Sequence, residues 1–185
     1  MTEKVPVTLH SKLIYNGPVK LRVDTLQING KTFKKEIVEH NASVGIIPII
    51  NEEEIILVKQ YRHAVKDYLI EIPAGKIENK ESPIEAAKRE LEEETGFNAD
   101  LIPLTKFYLA PSYDTELMYL FIARNITKKN NPLYVMDEDE NISSMILNLN
   151  DAISYCFNGN IKDCKTVSAI LLYYKSFYLK NNQIK

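Results

Sequence analysis

Residues 75 to 97 read Gly75-Lys-Ile-Glu-Asn-Lys-Glu81-Ser-Pro-Ile-Glu-Ala-Ala-Lys-Arg89-Glu90-Leu91-Glu-Glu93-Glu94-Thr-Gly96-Phe97. Their punctuation fixes a helix on local signals alone. Ser82 is an N-cap, Pro83 suits the first helical position, and Glu85 completes a capping box. Gly96 is a stop, because glycine accepts the left-handed conformation just past a helix end. The signals predict a helix from Pro83 to Thr95. At roughly 100° per residue, Ile84, Ala87, Leu91 and Thr95 cluster on one side, which is expected to face the core. Glu90, Glu93 and Glu94 fall within an arc of about 100° on a different side, with Ala86 beside them. Glu85 and Glu92 fall on the opposite flank and are expected in solvent.

A solvated charged face accounts well for Glu85 and Glu92 but badly for the other three. Like charges at i, i+3 and i+4 repel by a few tenths of a kcal/mol per pair. They also oppose the macrodipole, since negative charge is unfavourable near a helix C-terminus. Clustered carboxylates hold hard divalent cations, and such cations are what a protein needs to handle a pyrophosphate.

The same stretch matches G-x5-E-x7-R-E-U-x-E-E-x-G-U at all nine fixed positions, U being bulky aliphatic or aromatic. That pattern is the signature box of the Nudix hydrolases, which this chain therefore resembles. Other stretches are similar to one branch of that family, the ADP-ribose pyrophosphatases. They are Gln60-Tyr61-Arg62-His63, Glu71-Ile72-Pro73-Ala74-Gly75, Ala110-Pro111-Ser112-Tyr113-Asp114-Thr115-Glu116, the acidic run Asp137 to Glu140, and Gly159 to Thr166. The third departs from the branch pattern, with Ser112 where a glycine is usual.

The resemblance implies a Nudix-type mixed-sheet α/β/α sandwich, class α/β (α+β), with an N-terminal antiparallel β unit. It implies hydrolysis of ADP-ribose, or a related ADP-sugar, to AMP and ribose 5-phosphate. Glu90, Glu93 and Glu94, the carbonyl of Ala74, and Glu140 would hold two or three Mg2+ or Mn2+ ions, with Glu93 and Glu94 counted among the catalytic groups. Such ions are obligatory for a carboxylate-lined site, because two unit charges about 4 Å apart repel by roughly 4 kcal/mol at an intermediate dielectric. A loop glutamate would take the proton from the attacking water; Glu138 is favoured by register, and Glu140 remains the alternative base. Arg62, Glu71 and Glu116 are the candidate substrate contacts, although Arg62 and Glu71 could equally form a plain surface pair. Arg89 is expected to orient the box carboxylates and Glu81 to support the loop. The branch also implies a homodimer formed through the N-terminal β unit.

Length and composition fit this reading. A chain of 185 residues suits one domain with a small appended element. The formal net charge of -2 argues against a general nucleic-acid binder. No apolar run reaches transmembrane length, the N-terminus has no hydrophobic signal region, and Cys156 and Cys164 have no metal-ligand spacing. The expectation is a cytoplasmic protein acting on a small molecule, with no membrane or nucleic-acid partner.

Strands are expected over Leu13 to Gln27 and Lys31 to His40, joined at the hairpin turn Asn29-Gly30. Others are expected at Val44 to Ile50, Ile55 to Tyr61, Tyr68 to Pro73, Ala99 to Ala110, Leu117 to Ala123 and Asn141 to Leu149. Two closing helices follow, Asn150 to Phe157 and Asp163 to Leu179. The boundary falls near His40 to Ser43, giving units 1–42 and 43–185. Two other functions fit the same residues: hydrolysis of another nucleoside diphosphate sugar such as GDP-mannose, and a non-catalytic domain that senses ADP-ribose.

Overall fold

The computed structural model describes residues 4–78, 80–128 and 142–178. The chain divides into two compact units, Met1–Ala42 with Tyr108–Leu117, and Ser43–Phe107 with Met118–Lys185.

The first unit is a three-stranded antiparallel sheet in the order β1 (Val7–Asn16), β2 (Lys20–Ile28), β3 (Lys31–Glu39). Asn29 and Gly30 both take positive φ, 52° and 74°, as a tight β2–β3 turn requires. The expected single stretch from Leu13 to Gln27 is instead two strands. Gly17, Pro18 and Val19 turn the chain, and the alternation of apolar residues simply continues through the turn. Buried Asp24 pairs with Arg22 at 3.0 Å, and Arg22 also pairs with Glu39.

The second unit is built on a mixed sheet of seven strands. Its main order is β10 (Ile142–Asn148), β5 (Glu54–Arg62), β4 (Ser43–Ile50), β9 (Leu117–Lys128), β8 (Phe97–Tyr108). Two short strands, β6 (Asp67–Glu71) and β7 (Ala74–Lys76), pair with β5 and β4. β4 and β9 are parallel; β4 is antiparallel to β5 and β7.

Period-two alternation sends residues of β4 and β9 to opposite faces of the sheet. Val44, Ile46, Phe121 and Ala123 pack with Ala86, Ala87 and Leu91 of helix α1 (Pro83–Thr95). Ile47, Ile49, Leu120 and Ile122 pack with helices α2 (Leu149–Asn158) and α3 (Cys164–Tyr173). The strands read as continuous apolar runs because both faces are covered. α2 stops at Gly159, whose φ is 80°, and α3 continues as a π-helical turn over Tyr174–Tyr178.

Among the described residues no helix is long and apolar enough to cross a membrane.

Candidate functional site

Helix α1 has the bounds its caps predict. The Ser82 backbone N–H donates to Glu85 Oε2 at 2.8 Å, the Ser82 hydroxyl accepts from Glu85 N, and Gly96 closes the helix at φ 73°. Its orientation differs from the helical wheel in two places. Ile84, expected in the core, is 39% exposed, whereas Ala86 and Ala87 are fully buried. The helix sits on its small side chains, which let its backbone approach β4 and β7 closely. Glu92, expected in solvent, is buried. α1 packs across β7, β4, β5 and β10, so more of its circumference is covered than one core face allows.

This seating carries the acidic side of the helix to the turn before β7. Ala74 N donates to Glu94 Oε2 at 3.0 Å. Gly75 pairs with Val44 and lies under Glu90: a Cβ there would come closer than 3.0 Å to the carboxyl carbon and both its oxygens. Arg89 ties the cluster together. Its Nη1 donates to Glu90 Oε1 and Glu93 Oε2, both at 2.8 Å, and its Nε donates to Glu81 Oε1 at 3.0 Å. Nη2 donates to Glu81 Oε2 at 3.1 Å and to the Lys76 carbonyl at 3.0 Å. Burial works against the Arg89 charge, but its carboxylate partners outweigh it and raise the pKa. Glu81 is held below the usual carboxylate range, chiefly by the hydrogen bond from Arg89.

Beside this cluster, Arg62 forks onto Glu71, with Nε to Oε1 and Nη2 to Oε2, both at 2.7 Å. Glu71 is 1% exposed and also receives Lys165. Burial opposes the Glu71 charge, yet the hydrogen bond from Arg62 and the charge of Lys165 hold the carboxyl below its ordinary range. The Glu94 charge adds to what raises the Arg62 pKa, after the hydrogen bond and charge of Glu71.

Glu116 belongs to the first unit, where its Oε2 lies 3.5 Å from His40 Nδ1 and its backbone N–H bonds Asp114 at 3.0 Å. Ser112 in the same loop has no left-handed backbone, so φ alone does not call for the glycine usual in the branch. Glu138 and Glu140 lie outside the described residues. Sequence reasoning gave no role to Lys165, although one signal was available. A lysine two residues past an N-cap opposes the helix dipole and needs a reason to be there.

The donor chemistry suits a hard divalent cation. Glu81, Glu90 and Glu93 share Arg89 while Glu94 accepts from Ala74 N, so the four carboxylates outnumber the arginine among them, and all donors are oxygen. Gly75 leaves room for the Glu90 carboxylate at the strand. Among the described residues no three ligating groups converge on one point, because Arg89 draws Glu90 and Glu93 to itself while Glu94 turns to Ala74. The cluster therefore has the composition of a metal site, with Arg89 standing among its carboxylates.

Comparison with known proteins agrees with this geometry. A NUDIX domain model matches residues 39–163. The chain is 40% identical over 166 residues to a methanol dehydrogenase activator of Bacillus methanolicus, covering 88% of this chain and 89% of that protein. It is 37% identical over 166 residues to an ADP-ribose pyrophosphatase of Bacillus subtilis (strain 168), with the same coverage. The crystal structure of an ADP compounds hydrolase superposes with a TM-score of 0.83 at 27% identity, covering 96% of this chain and 95% of that one. The chain belongs to the Nudix family of hydrolases, in the branch of the ADP-ribose pyrophosphatases.

Proposed function

We propose that the chain hydrolyses the pyrophosphate bond of ADP-ribose, or a closely related ADP-sugar, to AMP and ribose 5-phosphate. The observation that carries this reading is the cluster of Glu90, Glu93 and Glu94 against Ala74 and Gly75, with the Arg62–Glu71 pair beside it. The relative named ADP-ribose pyrophosphatase supports the substrate.

Hydrolases of this family depend on a divalent metal. We assign Mg2+ or Mn2+, two or three ions, to Glu90, Glu93, Glu94, the Ala74 carbonyl and Glu140. When bound, the ions supply positive charge and Lewis acidity to the diphosphate. Glu93 and Glu94 would hold these ions, and Arg89 orients the Glu90 and Glu93 carboxylates through its Nη1. Arg62 offers Nη1, which stands outside its pair with Glu71, to a phosphate or ribose oxygen. Glu116 is a further substrate contact. Glu138 takes the proton of the attacking water, with Glu140 as the alternative base.

The assembly we propose is a homodimer formed through the first unit. β1 is an edge strand with all ten residues exposed, including Val7, Leu9, Leu13, Ile14 and Tyr15. A long apolar edge is a template for pairing with another chain. Free Cys156 and Cys164 favour a reducing, cytoplasmic setting.

A second reading is activation of a dehydrogenase, favoured by the relative of that name at 40% identity. Turnover of free substrates by the chain alone, with Mg2+ and a panel of ADP-ribose, ADP-glucose, GDP-mannose, NADH and a deoxynucleoside triphosphate, tests the first reading. Preferred cleavage of ADP-ribose supports it. Preference for GDP-mannose moves the substrate, and no turnover favours a partner-directed or sensing role.

A further inference from the structure

Lys165 occupies a position that its own helix does not favour. It is the second helical residue of α3, where a cation opposes the dipole, and its side chain is 11% exposed. The helix start does not need it. Asp163 already caps α3, its Oδ2 accepting from Thr166 N at 2.9 Å and from the Thr166 hydroxyl at 2.6 Å.

What Lys165 does make is a bridge. Its Nζ lies 3.0 Å from Asp163 Oδ2 and donates to Glu71 Oε2. Charges then alternate along Asp163, Lys165, Glu71 and Arg62, and the chain neutralises itself. It runs from Glu71, 1% exposed, to Arg62, whose side chain is 39% exposed. A buried carboxylate with two cationic partners has little freedom, and the fork of Arg62 inherits that fixity. A second tie acts in parallel: Ile72 N donates to Thr166 Oγ1 at 2.8 Å, joining α3 to the turn that carries Ala74.

Resting on the reading above, we propose that Lys165 is a positioning residue. It holds Glu71, and through Glu71 the guanidinium of Arg62, so that substrate affinity depends on a lysine that touches no substrate.

The test is a double-mutant cycle of Lys165→Met with Arg62→Ala, and Lys165→Arg as the conservative rescue. Steady-state kinetics use whichever nucleoside diphosphate sugar the wild type cleaves. A substrate other than ADP-ribose would then correct the proposed function without removing this readout. Lys165→Met raises KM about tenfold, the worth of one charge-assisted hydrogen bond, and changes kcat less than about threefold. Lys165→Arg returns KM to within about threefold of wild type. In the double variant, KM stays within about twofold of Arg62→Ala alone, because Lys165 acts only through Arg62. Unchanged KM in a folded Lys165→Met protein would overturn the proposal, and so would effects that multiply in the double variant. If Lys165→Met does not fold, Lys165→Gln takes its place in the cycle.

Discussion

Gly75 lies so close under the Glu90 carboxyl that any side chain at position 75 would occupy the carboxylate's own space. A strand residue and a helix residue fifteen positions apart in the chain are thereby made interdependent, and the interdependence is steric before it is chemical.

Gly75→Ala therefore displaces Glu90 while leaving every charge in place. The expected result is a shift of the flexible Glu90 carboxylate with only a small change in stability, below about 1 kcal/mol. It is accompanied by a loss of metal affinity of about ten- to a hundredfold, as for disturbed ligand support elsewhere. Metal titration of activity checks this. An unchanged metal requirement would mean that Glu90 does not need its cradle.

Arg89→Ala releases Glu81, Glu90 and Glu93 together. Without metal the uncompensated carboxylates should cost about 3 kcal/mol, a fall in Tm on the order of 10 °C for a chain of this size. A divalent cation can then replace the lost charge. Melting curves with chelator and with Mg2+ should show a larger metal-induced rise in the variant than in wild type. Equal rises would separate Arg89 from the metal site.

Glu71 predicts a pH dependence whose sign follows from its partners. Its ordinary value is 4.5, and despite burial Arg62 and Lys165 hold the folded carboxyl below that. A depressed folded pKa contributes stability that is complete above the unfolded value and is lost as pH falls through the folded one. Wild type should thus lose stability progressively below about pH 4.5. Glu71→Gln should lower Tm at neutral pH and narrow the difference between neutral and acid melts. Parallel curves for the two proteins would show that Glu71 is not among the groups whose titration drives acid unfolding.

The helix that carries the site was legible to the residue because its signals are local: Ser82, Pro83, Glu85 and Gly96 each act within one turn. Which side of it faced the sheet was not. Ala86 and Ala87 look weak on a hydrophobicity wheel beside Ile84, yet small side chains decide how closely a helix can approach strands. The turn at Gly17-Pro18 was hidden by apolar alternation that runs straight through it. The Lys165 bridge was hidden for another reason: it joins residues 71 and 165, and no local pattern reports a partner that far along the chain.

The apolar edge of the first unit predicts self-association. Wild type should sediment as a dimer at micromolar concentration, and Leu9→Lys with Leu13→Lys, both on exposed β1, should shift it to monomer. A wild-type monomer would remove the homodimer proposal.

The most direct test of the central claim compares wild type with Glu94→Gln in Mg2+-dependent cleavage of ADP-ribose. Glutamine keeps an oxygen for the Ala74 N–H, which Glu94 accepts at 3.0 Å, but loses the charge. Wild type should release AMP and ribose 5-phosphate, and the variant should fold normally while losing at least about a hundredfold in kcat/KM. Undiminished turnover by Glu94→Gln would contradict the metal assignment, and absence of ADP-ribose cleavage by wild type would contradict the function itself.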